Sequence, residues 1–331
     1  NLDDRVYFPH SLGIFYQALT QYLGFNNYGD EYKIMGLAPY GKPIYIEQMR
    51  QIVRLKKDGK YELNLDYFRH HSEKIDYKWD GGSPHLGILF SNKLEKLLGP
   101  LRKKNEELTQ HHKDIAHSVQ VMYEEAFFNL LKNLHNKYKL NNLAIAGGCA
   151  MNSVANGKVI LNTPFKKIYV QAAAGDAGGA IGAALTTWYS FSHAKNQKRK
   201  ILHDHAYWGP SFTNEYIGKL LNTQKDTIEK QNCVVEKFSD FLKLTQITAK
   251  EIAEGKVVGW FQGKMEWGPR SLGNRSIVCD PRRADMKDIL NLKIKRRESF
   301  RPFAPSILNE AVSKWFEQDN DVPFMMQVYQ I

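Results

Sequence analysis

Apolar residues recur at steps of three and four between Asp114 and Tyr138, with polar residues between them. This period matches the α-helix, in which residues at that spacing share one face. The positions concerned are Ile115, Val119, Met122, Ala126, Leu130, Leu134 and Tyr138. The pattern predicts a helix over residues 114–138 with one buried face.

Short apolar runs and helical patterns alternate after this helix. Residues 143–146 predict a strand, which the turn Gly147-Gly148 joins to a second helix that begins near Asn152. Residues 167–170 predict another strand, and residues 176–184 predict another helix. Strands that alternate with helices are typical of a layered α/β fold.

A charged and polar stretch at residues 196–200, with the connection that follows, predicts a boundary between two domains, 1–200 and 201–331. A chain of 331 residues is long for one compact core. Beyond the boundary the pattern predicts helices over 214–221 and 238–254, a buried strand over 257–261 and a helix over 286–294. Gly255 follows the second of these helices as a C-terminal stop. We therefore expect a second α/β unit.

Composition indicates a protein of the cytoplasm. The hydrophobic content of 43% is ordinary for a globular protein, and no apolar run is long enough to span a bilayer. The first five residues lack the basic and apolar regions of a signal peptide. The three cysteines are too few and too widely spaced for a disulfide framework. We expect no membrane partner.

The formal charge of +11 does not by itself indicate nucleic-acid binding. Lysine and arginine are spread along the chain and form no continuous stripe. An enzyme that handles phosphate compounds also carries positive charge directed at its substrates. We therefore do not expect a nucleic-acid partner.

Residues 262–280 contain the strongest candidate chemistry. Three glycines alternate there with four basic or amide side chains, Lys264, Arg270, Asn274 and Arg275. Glycine lets the backbone approach an anion, and each arginine offers a planar fork of donors to a phosphate or carboxylate. The alternative is a surface turn with solvated charges. A solvated turn would not need the interleaved Met265, Trp267 and Leu272, so the loop predicts a site for an anionic substrate.

Other short motifs leave two interpretations open. The Gly147-Gly148 turn suits either a tight bend or the close approach of a ligand to the helix start at Asn152. Asp176 is placed to cap the small-residue helix that follows Gly175.

Two charged segments are similarly open. Asp30, Glu31 and Lys33 are either a helix start or groups that orient a hydroxyl. The basic run from Lys293 to Arg301, which includes Lys295, either favours a helix dipole or lines a ligand pocket. We expect His70-His71 to lie on a polar loop, and Cys149 to be a small buried residue rather than a nucleophile.

Six motifs in a fixed order resemble the O-carbamoyltransferases of the NodU/CmcH type. Residues 263–277 run Gly-Lys-Met-Glu-Trp-Gly-Pro-Arg-Ser-Leu-Gly-Asn-Arg-Ser-Ile, and residues 296–305 run Arg-Arg-Glu-Ser-Phe-Arg-Pro-Phe-Ala-Pro. Upstream motifs at residues 9–13, 32–41, 146–152 and 174–179 also match. The resemblance covers nearly the whole chain.

The resemblance implies a particular α/β architecture. An ATPase-like domain of the actin and hexokinase class (ASKHA), related to the tRNA threonylcarbamoyl transferases, occupies residues 1–200, of which the second, RNase-H-like lobe is present. A YrdC-like domain occupies residues 201–331. We expect the first lobe, with a histidine pair that binds metal, to be missing from this sequence, and the second domain to be truncated at its end.

The resemblance also implies a reaction and its site residues. ATP and carbamoyl phosphate would form carbamoyladenylate, and the carbamoyl group would pass to a hydroxyl of a sugar or natural product. The carbamoyl-phosphate and ATP pocket would contain Lys264, Arg270, Asn274, Arg275, Arg301 and Lys295. The nucleotide would also contact Gly147, Gly148, Asn152, Gly175, Asp30 and Lys33. Asp176 would bind a divalent metal, Fe²⁺ or Mg²⁺.

Two other functions use related folds. A sugar-kinase-like phosphotransferase would leave the basic loop at residues 264–275 without a role. A tRNA-modifying protein of the threonylcarbamoyl type would need a basic surface for RNA, which the scattered charges do not predict.

Overall fold

A computed structural model describes residues 4–191 and 204–331. The helices are α1 Leu12–Tyr22, α2 Glu31–Leu37, α3 Ile46–Ile52, α4 Lys93–Leu98, α5 Gln110–Tyr138, α6 Ser153–Gly157, α7 Val159–Asn162, α8 Asp176–Ser190, α9 Asn214–Thr223, α10 Lys225–Lys230, α11 Phe241–Ala253, α12 Met286–Asp288 and α13 Val312–Trp315. The strands are β1 Val53–Leu55, β2 Tyr61–Leu63, β3 Tyr77–Lys78, β4 His85–Leu86, β5 Asn142–Ile145, β6 Lys167–Val170, β7 Val258–Phe261 and β8 Arg275–Val278.

The chain divides into two compact units. The first, unit 1, contains residues 1–170, 300–320 and 326–331, and the second, unit 2, contains residues 171–299 and 321–325. Both combine helices with small sheets, so the α/β prediction is confirmed at that level. The domain boundary predicted at residue 200 lies outside the described residues and stays a prediction.

Helix α5 is the centre of the unit 1 core. Its residues Ile115, Val119, Met122 and Ala126 are fully buried, together with Phe15 and Leu19 of α1 and Met49 and Ile52 of α3. Burial of each large apolar side chain contributes about 1.5–3 kcal/mol. The helix predicted from residue 114 is confirmed, although it begins earlier, because Thr109 and His112 form a capping box. Leu134 and Tyr138 near its end are exposed.

Strands β5 and β6 pair in parallel, with Asn142 opposite Lys167 and Ile145 opposite Val170. Parallel neighbours need a crossover connection, which here consists of a 3-10 turn, α6 and α7. Both strands and the helix after Asn152 were predicted, and the structure confirms them. The crossover places the Gly147-Gly148 turn directly after the end of β5.

Unit 1 also holds elements that the apolar pattern did not predict. The hairpin β1–β2 pairs Val53 with Leu63, and the final segment of the chain packs on the α6 region. There, Val328 N donates to the Ser153 carbonyl at 3.0 Å, and Asn156 Nδ2 donates to the Met326 carbonyl at 2.9 Å. These contacts join residues far apart in sequence.

Unit 2 contains the antiparallel pair β7–β8, in which Val258 lies opposite Val278. Helices α8, α9 and α11 confirm the predicted helices, and Gly255 follows α11 with a φ of 89°, as expected for a C-terminal stop. The prediction of a buried strand is wrong in one respect: β7 is only partly buried, because it pairs with one neighbour in a two-stranded sheet. The helix expected over 286–294 is confirmed in its bounds, but it is one α-turn followed by a π-helical turn, Ile289–Ile294.

In the two ranges that the structure describes, no helix combines the length and the apolar character required to cross a membrane.

Candidate functional site

In unit 1, the turn after β5 leaves its backbone open to a ligand. Gly147 has a φ of 102°, a conformation that side-chain-bearing residues rarely adopt. Gly147 and Gly148 are exposed, and a β-carbon built on either glycine would meet no atom within 4 Å. The glycines are therefore not explained by internal packing at this turn. The open space agrees with a backbone that a ligand approaches.

Asn152 does not present its side chain to this open space. It is buried, and its Oδ1 accepts from the Ala155 amide at 3.0 Å, which caps α6. Its Nδ2 donates to Gln120 Oε1 at 3.0 Å, and Gln120 Nε2 donates back to Asn152 Oδ1 at 3.1 Å. The predicted ligand-binding residue thus supports the turn from inside the protein.

Gln120 extends this support into a buried polar network that the sequence analysis missed. Tyr16 Oη donates to Gln120 Oε1 at 2.8 Å, and Gln120 Nε2 donates to Glu124 Oε1 at 2.9 Å. Burial raises the pKa of Tyr16 well above its ordinary value, so its hydroxyl remains a donor. Lys158 Nζ lies 2.8 Å from Glu124 Oε2 and balances its charge. In the sequence, the only sign of this network was the presence of two polar residues, Gln120 and Glu124, beside the apolar stripe of α5.

Asp30 and Lys33 form an ion pair at the start of α2, with Nζ 3.0 Å from Oδ1. Asp30 is buried and also accepts from the Asn27 amide at 3.2 Å. Burial raises the pKa of the adjacent Glu31, and the Asp30 charge adds to the effect. The helix-start interpretation is therefore realised in the structure, and a role for Asp30 and Lys33 toward a ligand stays a prediction.

Arg301 belongs to unit 1, whereas the sequence placed it in the C-terminal domain with the basic loop. Its guanidinium carbon lies 3.9 Å from the centre of the Tyr32 ring, a cation–π contact. The preceding Phe300 packs edge-on against Phe25, and its carbonyl accepts from Tyr40 Oη at 3.4 Å. These contacts hold the segment around Arg301 on helix α2, so this arginine has a fixed position.

In unit 2, the basic loop between β7 and β8 is organised around Glu266. The Glu266 side chain is 0% exposed. It accepts from the amides of Leu272 at 2.7 Å and Asn274 at 2.8 Å, and from Arg275 Nε at 2.9 Å. Arg275 Nη2 also donates to the Glu266 carbonyl at 2.9 Å. Sequence analysis did not select Glu266, although it is the one acidic residue among the loop's basic and amide residues.

The electrostatics of Glu266 follow from these donors. Burial raises the pKa of the carboxyl, but the hydrogen bonds from Arg275 and from the Asn274 and Leu272 amides outweigh burial and lower it to about 2. The carboxylate is therefore ionised at neutral pH. Its charge balances that of Arg275 within the loop.

The four predicted residues of the loop have different environments. Asn274 Nδ2 donates to the Lys264 carbonyl at 2.7 Å, so this amide closes the loop on itself. The Lys264 side chain is exposed, and Arg270 is half-buried. The four residues thus share one loop, in which Asn274 contacts Lys264, but Asn274 and Arg275 direct their donors into the loop.

The remaining predicted residues of unit 2 are mostly exposed. Lys295 ends the π-helical turn, and its amide donates to the Leu290 carbonyl at 2.7 Å. The expected cap by Asp176 is wrong, because Gly175 occupies the cap position and Asp176 is the first residue of α8. Residues 4–191 and 204–331 contain no group of three or more metal-ligating side chains. Asp176 as a metal ligand stays a prediction.

Cys149 and His70 have structural environments. Cys149 is exposed as a residue, not buried as expected, but atoms around its sulfur exclude water and raise the pKa of the thiol. Such a thiol is a poor nucleophile at neutral pH. His70 lies half-buried with Nε2 2.8 Å from the Pro9 carbonyl, so it is not simply solvated.

Two family models match this chain. The one described as Carbamoyltransferase N-terminus matches residues 2–185, and the one described as Carbamoyltransferase C-terminus matches residues 249–331. The first includes the Gly147-Gly148 turn and Asp176. The second includes the basic loop and Arg301.

Individual relatives agree with the family models. An uncharacterized protein of Synechocystis is 44% identical over 98% of this chain and 50% of its own length. Nodulation protein NolO of Bradyrhizobium diazoefficiens is 38% identical over 98% of this chain and 54% of its own length. The 3'-hydroxymethylcephem-O-carbamoyltransferase of Amycolatopsis lactamdurans is 32% identical over 56% of this chain and 31% of its own length. The chain spans about half the length of the first two relatives.

Proposed function

The chain belongs to the carbamoyltransferase family, and we propose that the protein transfers a carbamoyl group to a hydroxyl group of a small molecule. The main support is that both family models match and that each contains one of the candidate sites described above. The related cephem enzyme is named for O-carbamoyl transfer to a hydroxymethyl group. An alcohol of a sugar or natural product is the acceptor class that we infer.

The architecture that we propose is more detailed than the α/β class that the structure shows. Unit 1 would contain part of the second, RNase-H-like lobe of an ASKHA domain, and the matched region 249–331 would belong to a YrdC-like domain. The parallel pair β5–β6 with its helical crossover supports the first assignment, because such a pair with a glycine turn suits nucleotide binding.

In the proposed first step, water cleaves carbamoyl phosphate to carbamate and phosphate. A carbamate oxygen then attacks the α-phosphorus of ATP, which forms carbamoyladenylate and releases pyrophosphate. The phosphate groups carry negative charge, which lysine and arginine side chains neutralise. Lys264 and Arg270 of the basic loop are the side chains that we assign to this task in unit 2. Lys295 and Gly175 are further candidates for this pocket, although none of the contacts described above supports their assignment.

In the proposed second step, the carbamoyl group passes from the adenylate to the acceptor hydroxyl. The open turn at Gly147 and Gly148 would hold the adenosine part of the nucleotide, with exposed backbone at the end of β5. Asn152 would act through the turn that it supports. Asp30, Lys33 and Arg301 lie near one another around α2 and would face the nucleotide from the same unit.

A divalent metal, Fe²⁺ or Mg²⁺, remains a prediction for the whole protein. The described residues do not fit a complete metal site, because Asp176 is an exposed carboxylate and belongs to no group of three or more metal-ligating side chains among them. A lone carboxylate binds such ions weakly. No step is therefore assigned to a metal here.

The decisive experiment incubates the full native protein with ATP and carbamoyl phosphate. We expect AMP and carbamoyladenylate, both dependent on carbamoyl phosphate. Reactions without carbamoyl phosphate, or with inorganic phosphate in its place, are the controls. Formation of ADP from ATP with a sugar alone would instead favour the phosphotransferase, and the carbamoyltransferase proposal would be abandoned.

A further inference from the structure

The groups that converge on the Glu266 side chain are all hydrogen-bond donors. Two amides of the loop, from Leu272 and Asn274, and the Nε of Arg275 lie within 2.9 Å of its oxygens. Amides of neighbouring residues together with a guanidinium are the arrangement that proteins use to bind phosphate or carboxylate. The loop therefore builds an anion-binding nest, and its occupant is the protein's own carboxylate.

We propose that Glu266 is an internal anion that fills this nest and positions the basic loop, so that Arg275 is a positioning residue and does not contact substrate. This assignment rests on the proposed function, in which the loop serves carbamoyl phosphate. It divides the two arginines of the loop into different roles. Arg275 binds Glu266, while Lys264 and Arg270 are the cations assigned to the substrate.

The loop is tied at several further points, which explains why the nest stays filled. Tyr207 Oη donates to the Leu272 carbonyl at 2.9 Å, and Asn274 Nδ2 donates to the Lys264 carbonyl at 2.7 Å. Gln262 Nε2 donates to the Gly273 carbonyl at 3.2 Å. A substrate phosphate that entered the nest would have to expel a fully buried carboxylate and leave it without its partners. The geometry thus favours a permanent internal anion over a substrate site.

A carboxylate deletion with chemical rescue tests this proposal. Glu266→Ala removes the anion and leaves a space that formate, a small carboxylate, can fill. Glu266→Gln keeps the volume but lacks the charge, so it leaves formate no room. Glu229→Ala removes an exposed glutamate of α10 and is the matched control.

The expected kinetic result is a selective loss that formate reverses. In the full native protein, Glu266→Ala should raise the KM for carbamoyl phosphate about 10- to 100-fold, because the loop cations are displaced from their working positions. Excess sodium formate should lower that KM again, whereas sodium chloride should not. Neither Glu266→Gln nor Glu229→Ala should respond to formate.

Two results would overturn the assignment. If Glu266→Ala lowers the KM for carbamoyl phosphate, the nest is a substrate site that Glu266 obstructs. If the KM of Glu266→Ala is unchanged, or formate acts equally on Glu266→Gln, the carboxylate does not position the loop.

A thermal measurement separates this proposal from the proposed function and from simple misfolding. Formate should raise the melting temperature of Glu266→Ala and not that of the wild type, whether or not the protein uses carbamoyl phosphate. If Glu266→Ala does not fold, the double variant Glu266→Gln with Arg275→Gln replaces it. That variant should be more stable than Arg275→Gln alone, because it removes the buried carboxylate that Arg275→Gln leaves without its cation. Additive losses in the double variant would contradict the pairing.

Discussion

At the scale of single residues, the two glycines of the turn after β5 differ in the backbone strain that a side chain would cause. Gly147 has a φ of 102°, so any other residue is strained there. The φ of Gly148 lies outside the left-handed region, and the space where its β-carbon would go is open. A substitution at Gly148 therefore reports on a ligand rather than on the fold.

We predict that Gly148→Val leaves the unfolding free energy within about 1 kcal/mol of the wild-type value, as for other surface changes, but prevents nucleotide binding at this turn. ATP binding proposed at the basic loop of unit 2 should remain. The added side chain would occupy the space that the nucleotide needs. Thermal unfolding and ATP titration of the full native protein measure the two effects. Gly147→Ala, which strains the backbone, is the control for loss of structure. If Gly148→Val binds as many nucleotides per chain as the wild type, and with the same affinities, the turn has no nucleotide.

Lys264 and Arg275 should respond differently to truncation. Arg275→Ala leaves the buried Glu266 carboxylate without its cation and should destabilise the protein by about 2–3 kcal/mol, since the arginine itself is partly exposed. Lys264→Ala removes an exposed side chain and should leave stability unchanged while it weakens carbamoyl-phosphate use. Denaturant unfolding and steady-state kinetics of both variants check this. Equal stability of the two variants would contradict the ion pair.

Glu266 also predicts how stability depends on acid. Its pKa is about 2 in the folded protein and near 4.5 in an unfolded chain. The folded state therefore holds the ionised form more strongly, and the resulting stabilisation is complete above pH 4.5 and is lost as the pH falls toward 2. Glu266→Gln lacks this contribution, so its stability should fall less than that of the wild type over this range. Parallel acid unfolding curves for the two proteins would rule out the pKa shift.

At the scale of elements, α5 does two things at once. Its apolar stripe forms the core of unit 1, and Gln120 and Glu124 beside that stripe hold the crossover between β5 and β6 through Asn152 and Lys158. The position of the glycine turn is thus determined by a helix that precedes it in the chain. Residues distant from the turn can therefore change the nucleotide binding that we propose for it.

Asn152→Ala should destabilise the protein by about 2 kcal/mol or more, because it removes the cap of α6 and leaves Gln120 with unmet polar groups. Asn152→Ser keeps a capping oxygen but not the amide pair, so we expect a smaller loss. A double-mutant cycle with Gln120→Leu should show coupling between the two positions. The affinity of the turn for ATP should fall more in Asn152→Ala than in Asn152→Ser. Additive effects in the cycle would show that the amide pair contributes little.

The sequence predicted elements well where a short, regular pattern determines them. Helix α5 and strands β5 and β6 follow from local apolar spacing, and their bounds agree closely with the structure. The roles of Asn152 and Arg275 could not be predicted, since they depend on Gln120 and on Glu266, whose distances are set by packing. The sequence showed two arginines in one loop and suggested one task for both. The π-helical turn after α12 was also missed, because its apolar spacing resembles that of an α-helix.

At the scale of the whole molecule, the charge of +11 is spread over residues with different tasks. Some cations balance buried carboxylates, as Arg275 does for Glu266 and Lys158 does for Glu124. Others, such as Lys264, are exposed. A site in this chain is therefore not recognised by its count of basic residues. It is recognised by which of them remain available after the internal pairs are formed.

The same reasoning applies to the metal predicted at Asp176. The carboxylate is exposed at the start of α8, and the described residues place no second and third ligand beside it. Carboxylate and water alone bind Fe²⁺ or Mg²⁺ weakly and exchange them rapidly. We predict that the 331-residue chain, dialysed against a chelator, retains well under one ion per chain, and that Asp176→Asn does not change this amount. Elemental analysis measures it, with the full native protein in parallel. A stoichiometric ion that resists the chelator in the 331-residue chain and is lost in Asp176→Asn would prove this prediction wrong. It would also mean that the ligand set is completed by residues of this sequence outside the described ranges, or by a rearrangement of those inside them.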